Sequence, residues 1–378
     1  MIRNMEEQAG LKFSIITVCY NEEKTISASM ETVLNQTWKN IEYIIVDGAS
    51  DDSTLEIVQQ YAAKDERVRW YSERDNGVFD AMNKGICHAK GDYLFFLNAG
   101  DRFHSDDVLE EAAEAIIAQQ ADIAIGDVVF KRKSDFVKHI YAVGEELREN
   151  LEKGDCVCHQ VVFASKASLE GGFDEQFVIC ADYDWLCRQV NAHKKIIKID
   201  KVITDYDVYG ISNQVRYDNL HWKECFQVIR KNFPKAEFAT CGEVEKLFIK
   251  NRKTHFLYEF MNRWLLLKQK GIQIASFFVD QGIYSIAIYG MHYMGQRLND
   301  ELEKSEVKVR YGMDKKAYKQ EWNIPVIHPD EVINMESVDA IVVTPVFDYL
   351  EIKDELSKKM SCMIVSIEDV LYYQYEDA

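Results

Sequence analysis

From Phe13 onward, apolar runs of strand length alternate with stretches whose apolar residues recur at helical spacing. Phe13–Cys19, 41–46 and Val68–Ser72 are short apolar runs, as expected of strands buried in an α/β sheet. Between them, Ile26, Met30, Val33 and Leu34 predict one helix, and Leu55, Ile57, Val58 and Tyr61 predict another capped by Asp52 or Ser53. A helix is predicted over 79–89, a strand over 93–97 and a helix over 106–120. Strands near 122–130 and 161–164 and a helix over 182–192 complete this part. Alternation of this kind builds an α/β fold around a mainly parallel sheet with helices on both faces.

The pattern then changes. Residues 217–270 are helical in spacing and rich in aromatics, without strand punctuation. A second α/β unit begins near Gly282, with strands at 284–289, 307–311, 340–344 and 363–367 and a helix at 297–304. Three regions follow: a nucleotide-binding sheet flanked by helices over 1–215, a helical linker over 216–281, and a smaller α/β domain over 282–378. No repeat of fixed period and no low-complexity tract interrupts them.

With 378 residues, 47% of them apolar, the chain can bury two cores. The net charge of −18 argues against general nucleic-acid binding. Nine cysteines, an odd number in a long α/β chain, read as reduced thiols of a cytoplasmic protein. Cys156-Val-Cys158-His159 has a spacing too tight for the usual zinc pair, and no second pair lies near it. Residues 1–10 are polar and acidic, unlike a signal peptide, and no run reaches the roughly 20 apolar residues of a membrane span. The expectation is a cytoplasmic protein, or one held at the inner membrane face.

Candidate chemistry sits where the strands stop. Asn21 and Glu22 follow the first strand, Asp47 the second, Glu73 and Asp75 the third, and Asn98 and Asp101 the fourth. In a parallel sheet these ends share one edge, and a row of carboxylates there repels itself unless it meets cations or hydrogen-bond donors. Asp101 is a candidate ligand for a hard divalent cation.

These residues fall in motifs that resemble glycosyltransferase family 2, inverting sugar-nucleotide transferases of GT-A fold. The resemblance rests on Ser14-Ile-Ile-Thr-Val-Cys-Tyr-Asn-Glu22, Val33-Leu-Asn-Gln-Thr37, Ile44-Ile-Val-Asp-Gly-Ala-Ser-Asp51, Asp75-Asn-Gly77, Ala81-Met-Asn-Lys-Gly85 and Phe96-Leu-Asn-Ala-Gly-Asp101. It continues through His159-Gln160, Gly171-Gly-Phe-Asp174 and Ala181-Asp-Tyr-Asp-Trp-Leu-Cys-Arg188, and is closest to members that assemble bacterial surface polysaccharides. It implies that Thr17, Tyr20, Asn21 and Glu22 line the nucleotide pocket and that Asp47 accepts a hydrogen bond from the base, usually uracil. It places Asp75, Asn83, Lys84, Asn98 and His159 near the donor. The family's Asp-x-Asp metal motif here reads Asn98-Ala-Gly-Asp101, which leaves Asp101 to hold Mg²⁺ or Mn²⁺ and keeps a metal-independent reaction open. Asp182 matches the general base, with Asp184 as the alternative. Asp182 as a plain helix cap and His159 as a packed core residue are the bland readings.

The C-terminal region resembles a small Rossmann-like domain. Gly290 and Gly295 match the outer glycines of a dinucleotide fingerprint and Asp314 its acid, but His292 replaces the middle glycine. An assembly or regulatory role is therefore expected over cofactor binding. Residues 250–270 mix aromatic and basic side chains, which suits either packing between domains or an anionic membrane surface. The leading expectation is an inverting, hexosyltransferase-type enzyme taking a UDP-sugar donor and a glycan or lipid-linked glycan acceptor. The rivals are a non-catalytic sugar-nucleotide-binding scaffold and a bifunctional enzyme with an NAD-binding second domain. Donor sugar and linkage are not legible, and a homo-oligomer is left open.

Overall fold

The computed structural model describes residues 10–132, 135–207, 215–240, 242–315 and 323–373. The stretch 1–9, on which the signal-peptide reading rests, lies outside the described residues. The chain divides into two compact units, 1–210 with 223–242, and 211–222 with 243–378.

The first unit runs β1 (Phe13–Cys19), α1 (Ile26–Leu34), β2 (Ile41–Asp47), α2 (Thr54–Ala62), β3 (Val68–Ser72), α3 (Val78–His88) and β4 (Tyr93–Phe96). It continues with β5 (Arg102–Phe103), α4 (Val108–Gln119), β6 (Ile123–Arg132), β7 (Asp135–His139), α5 (Glu145–Glu152), β8 (Val162–Ser165), α6 (Ala181–Asn191) and β9 (Ile196–Asp207). Then come α7 (Asp218–Asn232), whose later part belongs here, and α8 (Glu237–Thr240). The described strands form one sheet in the order β3-β2-β1-β4-β8-β6-β9-β5, with β7 on β6. The expected parallel pairing holds over β3-β2-β1-β4. Beyond it, β8 runs antiparallel to both β4 and β6, so this half of the sheet is mixed. Strand β9 was not expected, because Lys198, Asp200, Lys201, Thr204 and Asp205 break its apolar run.

Along β1, β2 and β4 the described side chains are almost all buried, which explains why these strands read as continuous apolar runs. One buried acid, Glu42 on β2, locks the N-terminal edge. It accepts from Ser14 Oγ (2.6 Å), from the backbone of Lys90 and from Gly91 N–H (3.0 Å), and pairs with Arg69. Gly91 is required there, since a Cβ would stand 2.7 Å from Ser14 N and 2.8 Å from Lys12 O.

The second unit includes α9 (Gly242–Gln269), α10 (Ala275–Asp280), β10 (Ser285–Tyr289), α11 (Tyr293–Leu302), β11 (Lys308–Met313), β12 (Val326–Ile327), β13 (Ala340–Val343), α12 (Tyr349–Ser357), β14 (Met363–Ser366) and α13 (Ile367–Tyr372). Its described strands form a parallel sheet ordered β12-β11-β10-β13-β14, reversing direction of travel at β10 as doubly wound folds do. One face packs Ile286 and Ile288 against Phe260, Trp264, Phe278 and Leu298, and the other packs Ala287 and Ile341 with Tyr311 and Tyr349. The segment 216–281 is helical, and its helices are shared between the units. Among the described residues no helix is long and apolar enough to cross a membrane.

Candidate active site

In-register pairing sets Cys19 opposite Asp47 and Ile16 opposite Phe96, so the ends of β2, β1 and β4 align along one edge. Two buried thiols report the charges gathered there. Burial pushes the Cys19 thiol far up, and the charges of Asp47, Glu22, Asp52 and Asp75 push it further. The Cys158 thiol is pushed up to about 12 by burial, with Asp101 and Asp182 adding to it and the Tyr141 hydroxyl opposing. The acids of the β4 loop and of α6 therefore both lie near Cys158. Both thiols stay protonated at neutral pH.

A single turn, His159–Val161, joins these acids. His159 Nδ1 lies 2.8 Å from Asp182 Oδ2, and its Nε2 lies 3.1 Å from Asn98 Nδ2. With the Asn98 NH₂ turned toward the ring, Nε2 accepts from it and Nδ1–H donates to the carboxylate. The next residue, Gln160, donates from Nε2 to Asp101 Oδ2 at 3.2 Å, and its carbonyl accepts from Thr204 on β9. Asp182 Oδ1 accepts from Tyr183 N–H (2.8 Å) in the first turn of α6, where the helix N-terminus favours negative charge. Asn98 Oδ1 is buried without a partner in the protein.

Helix α6 is held from beneath by Glu224 of α7. Its carboxylate accepts from the N–H groups of Val178 (2.8 Å), Ile179 (2.9 Å) and Cys180 (3.0 Å), the residues leading into α6. Sequence reasoning missed Glu224. The available signal was an acid set among Trp222, Cys225, Phe226, Val228 and Ile229, since a buried carboxylate demands donors.

The other expected site residues separate into wall and scaffold. Tyr20 is exposed, and Gly48 lies close under it: a Cβ on Gly48 would stand 2.7 Å from Asp75 Oδ2 and 3.4 Å from Tyr20 Cδ2. Tyr20, Gly48 and Asp75 thus lie side by side. Asn21, at φ 56°, receives the Asp51 N–H on Oδ1 (3.0 Å) while its own N–H donates to Ser50 Oγ (2.9 Å). Glu22 donates its N–H to Thr54 Oγ1 (2.7 Å) and accepts from the Thr25 hydroxyl. Both staple the β1 loop to the β2 loop.

Five of the expected residues are engaged within the protein. Thr17 is fully buried and hydrogen-bonds Tyr43 OH (3.0 Å) and Leu97 O. Asp47 is also fully buried, its oxygens engaged by Ser50 N–H and Oγ and by Ser72 Oγ (2.6 Å). Asn83 spends its amide on Phe173 O (3.0 Å), Phe173 N–H (2.8 Å) and Glu175 (2.7 Å), and Lys84 reaches Arg74 O (2.9 Å) and Glu73 (3.1 Å). Asp184 faces away from His159. It is fully buried, with Arg188 Nε at 2.9 Å, Lys231 Nζ at 3.1 Å and Asn232 Nδ2 at 2.9 Å, and has no lone pair facing solvent.

In the second unit, Gly290 adopts φ +89° and Gly295 packs so closely that a Cβ would meet Gly290 O at 2.2 Å. Asp314 Oδ2 accepts from Met291 N–H at 3.0 Å, turning the expected ribose-binding acid onto its own glycine loop.

The model of Glycosyl transferase family 2 matches residues 14–166. An uncharacterized glycosyltransferase of Mycobacterium tuberculosis is 30% identical over 203 residues, 53% of this chain and 76% of the relative. The chain belongs to glycosyltransferase family 2. This glycosyltransferase is also 30% identical over 213 residues to a PGL/p-HBAD biosynthesis glycosyltransferase of Mycobacterium bovis BCG, covering 55% of this chain and 81% of that one. Its fold is similar to that of S. aureus TarS 1–349 in complex with UDP-GlcNAc (TM-score 0.50, 17% identity, 59% of this chain and 68% of that chain). Against a further structure of S. aureus TarS 1–349 it spans 66% of that chain at TM-score 0.48 and 18% identity.

Proposed function

We propose that this glycosyltransferase moves a hexose-type sugar, with inversion, from a UDP-sugar to a hydroxyl of a glycan or lipid-linked glycan acceptor in polysaccharide assembly. The hydrogen-bonded chain Asn98–His159–Asp182 beside Asp101 carries the reading. Single displacement needs a base for the acceptor proton. Asp182 supplies it: its carboxylate, held on Oδ2 by His159 and on Oδ1 by the Tyr183 N–H, keeps 15% of its side-chain surface exposed. His159 orients and does not abstract, because Asn98 occupies its second nitrogen. The donor nucleoside sits against the exposed face of Tyr20 with Asp75 as acceptor and Asp47 bracing the β2 loop. A nucleotide-sugar donor is consistent with the TarS complex, and polysaccharide or glycolipid assembly with the name of the mycobacterial relative.

A divalent cation, Mg²⁺ or Mn²⁺, fits Asp101 and the unpartnered Asn98 Oδ1, both hard oxygen donors, and would neutralise charge growing on the departing diphosphate. Among the described residues no three His, Cys, Asp or Glu side chains gather as a complete metal cage, so diphosphate and water complete the shell. We assign the transfer chemistry to 1–215, with Glu224 of the helical linker 216–281 bracing α6, and an assembly or regulatory role to 282–378. We place its site of action in the cytoplasm.

The test is UDP release from UDP-sugars with a surface-glycan acceptor fraction, with and without Mn²⁺. Metal-stimulated release that disappears in Asp182→Asn supports the reading. Equal release from wild type and Asp182→Asn overturns it.

A further inference from the structure

Gln160 follows His159 in the turn before β8, and it holds the carboxylate of Asp101. Its Nε2 lies 3.2 Å from Asp101 Oδ2. A carboxylate only accepts, so the amide presents its NH₂ side here. Both residues are buried, Gln160 at 4% and Asp101 at 3% exposure, so bulk water does not compete for the bond. Gln160 is pinned from its backbone as well, because its carbonyl accepts from the hydroxyl of Thr204, fully buried on β9. Thr204 stands opposite Phe103 of β5, two residues beyond Asp101. The Asp101 N–H donates to Asn98 O (3.1 Å) and closes the β4 loop on itself. The path from Asp101 through β5, Thr204 and Gln160 back to Asp101 is thus a closed circuit, and it fixes how the carboxylate is turned.

The chemical type of this donor matters as much as its place. A lysine or arginine would neutralise Asp101 and repel a cation, and a glutamate would add a second hard ligand. A glutamine satisfies the buried oxygen and leaves the negative charge of Asp101 whole. The cation seat then offers one carboxylate and the neutral Asn98 Oδ1. Small divalent ions held by so few protein charges rely on substrate phosphates for the rest of their shell.

We propose that Gln160 is a positioning residue for the cation: it orients Asp101 and, being neutral, makes the site take the divalent ion together with the diphosphate and not alone. The inference rests on the cation reading of Asp101 given above.

The test is Mn²⁺ titration of the full chain, with the free ion read by electron paramagnetic resonance, with and without UDP and without turnover. Wild type should bind Mn²⁺ at least about tenfold more tightly with UDP than without it. Gln160→Met keeps the length and cannot donate; it should weaken Mn²⁺ binding in the presence of UDP by about 10–100-fold. Its UDP-induced thermal shift without metal should match that of wild type. Gln160→Glu adds a carboxylate and should tighten Mn²⁺ binding in the absence of UDP by about tenfold or more. A merely structural role would weaken both variants alike. Affinity of Gln160→Met within about twofold of wild type, or weakening in both variants, overturns the proposal and leaves the transfer reading standing. If Gln160→Met shows no cooperative melt, Gln160→Glu decides: tighter binding without UDP supports the proposal, and unchanged or weaker binding overturns it. A wild type that binds no Mn²⁺ even with UDP overturns both this proposal and the cation reading, while Asp182→Asn still tests the transfer itself.

Discussion

His159 Nδ1 sits 2.8 Å from Asp182 Oδ2, joining the turn before β8 to the first turn of α6. With Asn98 on the other ring nitrogen, the imidazole is held at both ends, and the Asp182 side chain keeps 15% of its surface exposed. Asp182→Asn should lower kcat by about 10³ with donor KM within a few-fold, since a general base contributes roughly 10²–10⁴. His159→Ala should lower kcat by about 10–100-fold and His159→Gln by less, because an amide can still hold Asp182. Steady-state UDP release checks both. An unimpaired His159→Ala enzyme would remove the positioning role.

Asp184, two residues on, should behave differently. Asp184→Asn leaves Arg188 and Lys231 without their buried carboxylate, a loss of about 3 kcal/mol. The thermal midpoint should fall by several degrees while kcat per folded molecule is retained. A kcat loss matching that of Asp182→Asn would contradict the assignment.

Glu224→Ala orphans three N–H groups at the entrance to α6 and should cost about 2–4 kcal/mol. Because that entrance also places Asp182, kcat should drop below what the folded fraction explains. Glu224→Gln, which keeps one acceptor oxygen, should recover part of both. Thermal melts run beside kinetics separate the two losses.

Glu42 predicts an acid-sensitive edge. Burial raises its carboxyl pKa, but Ser14, the Lys90 N–H, Lys12 and Arg69 outweigh it and hold the pKa below the usual carboxylate value. A pKa depressed in the folded state adds stability above the unfolded value of about 4.3, and that stability is lost as pH falls through the folded pKa. Glu42→Gln should therefore be less stable at pH 7 by about 1–3 kcal/mol and lose less on acidification than the wild type. Denaturant melts at pH 7 and pH 4 measure this difference. Equal acid sensitivity of both chains would refute it.

Gly48→Ala would drive a methyl against the Asp75 carboxylate. Donor KM should rise about tenfold with kcat nearly unchanged, since the nucleoside seat binds substrate and transition state alike. UDP-induced thermal shifts give the same answer without an acceptor. No change in either would move the nucleoside seat elsewhere.

The sequence alone determined the strand–helix alternation over β1–β4 and the acids at their ends, because buried parallel strands leave continuous apolar runs that stop at turns. It also marked Asp182 and Asp101. It could not order β8, β6 and β9, whose antiparallel and mixed pairings depend on distant partners. Nor could it separate Asp182 from Asp184. Two positions along a helix turn the side chain through about 200°, so one carboxylate meets His159 while the other is sealed beneath Arg188 and Lys231. Which acid stays open and which asparagine holds the histidine are properties of packing, decided only when segments far apart in the chain come together.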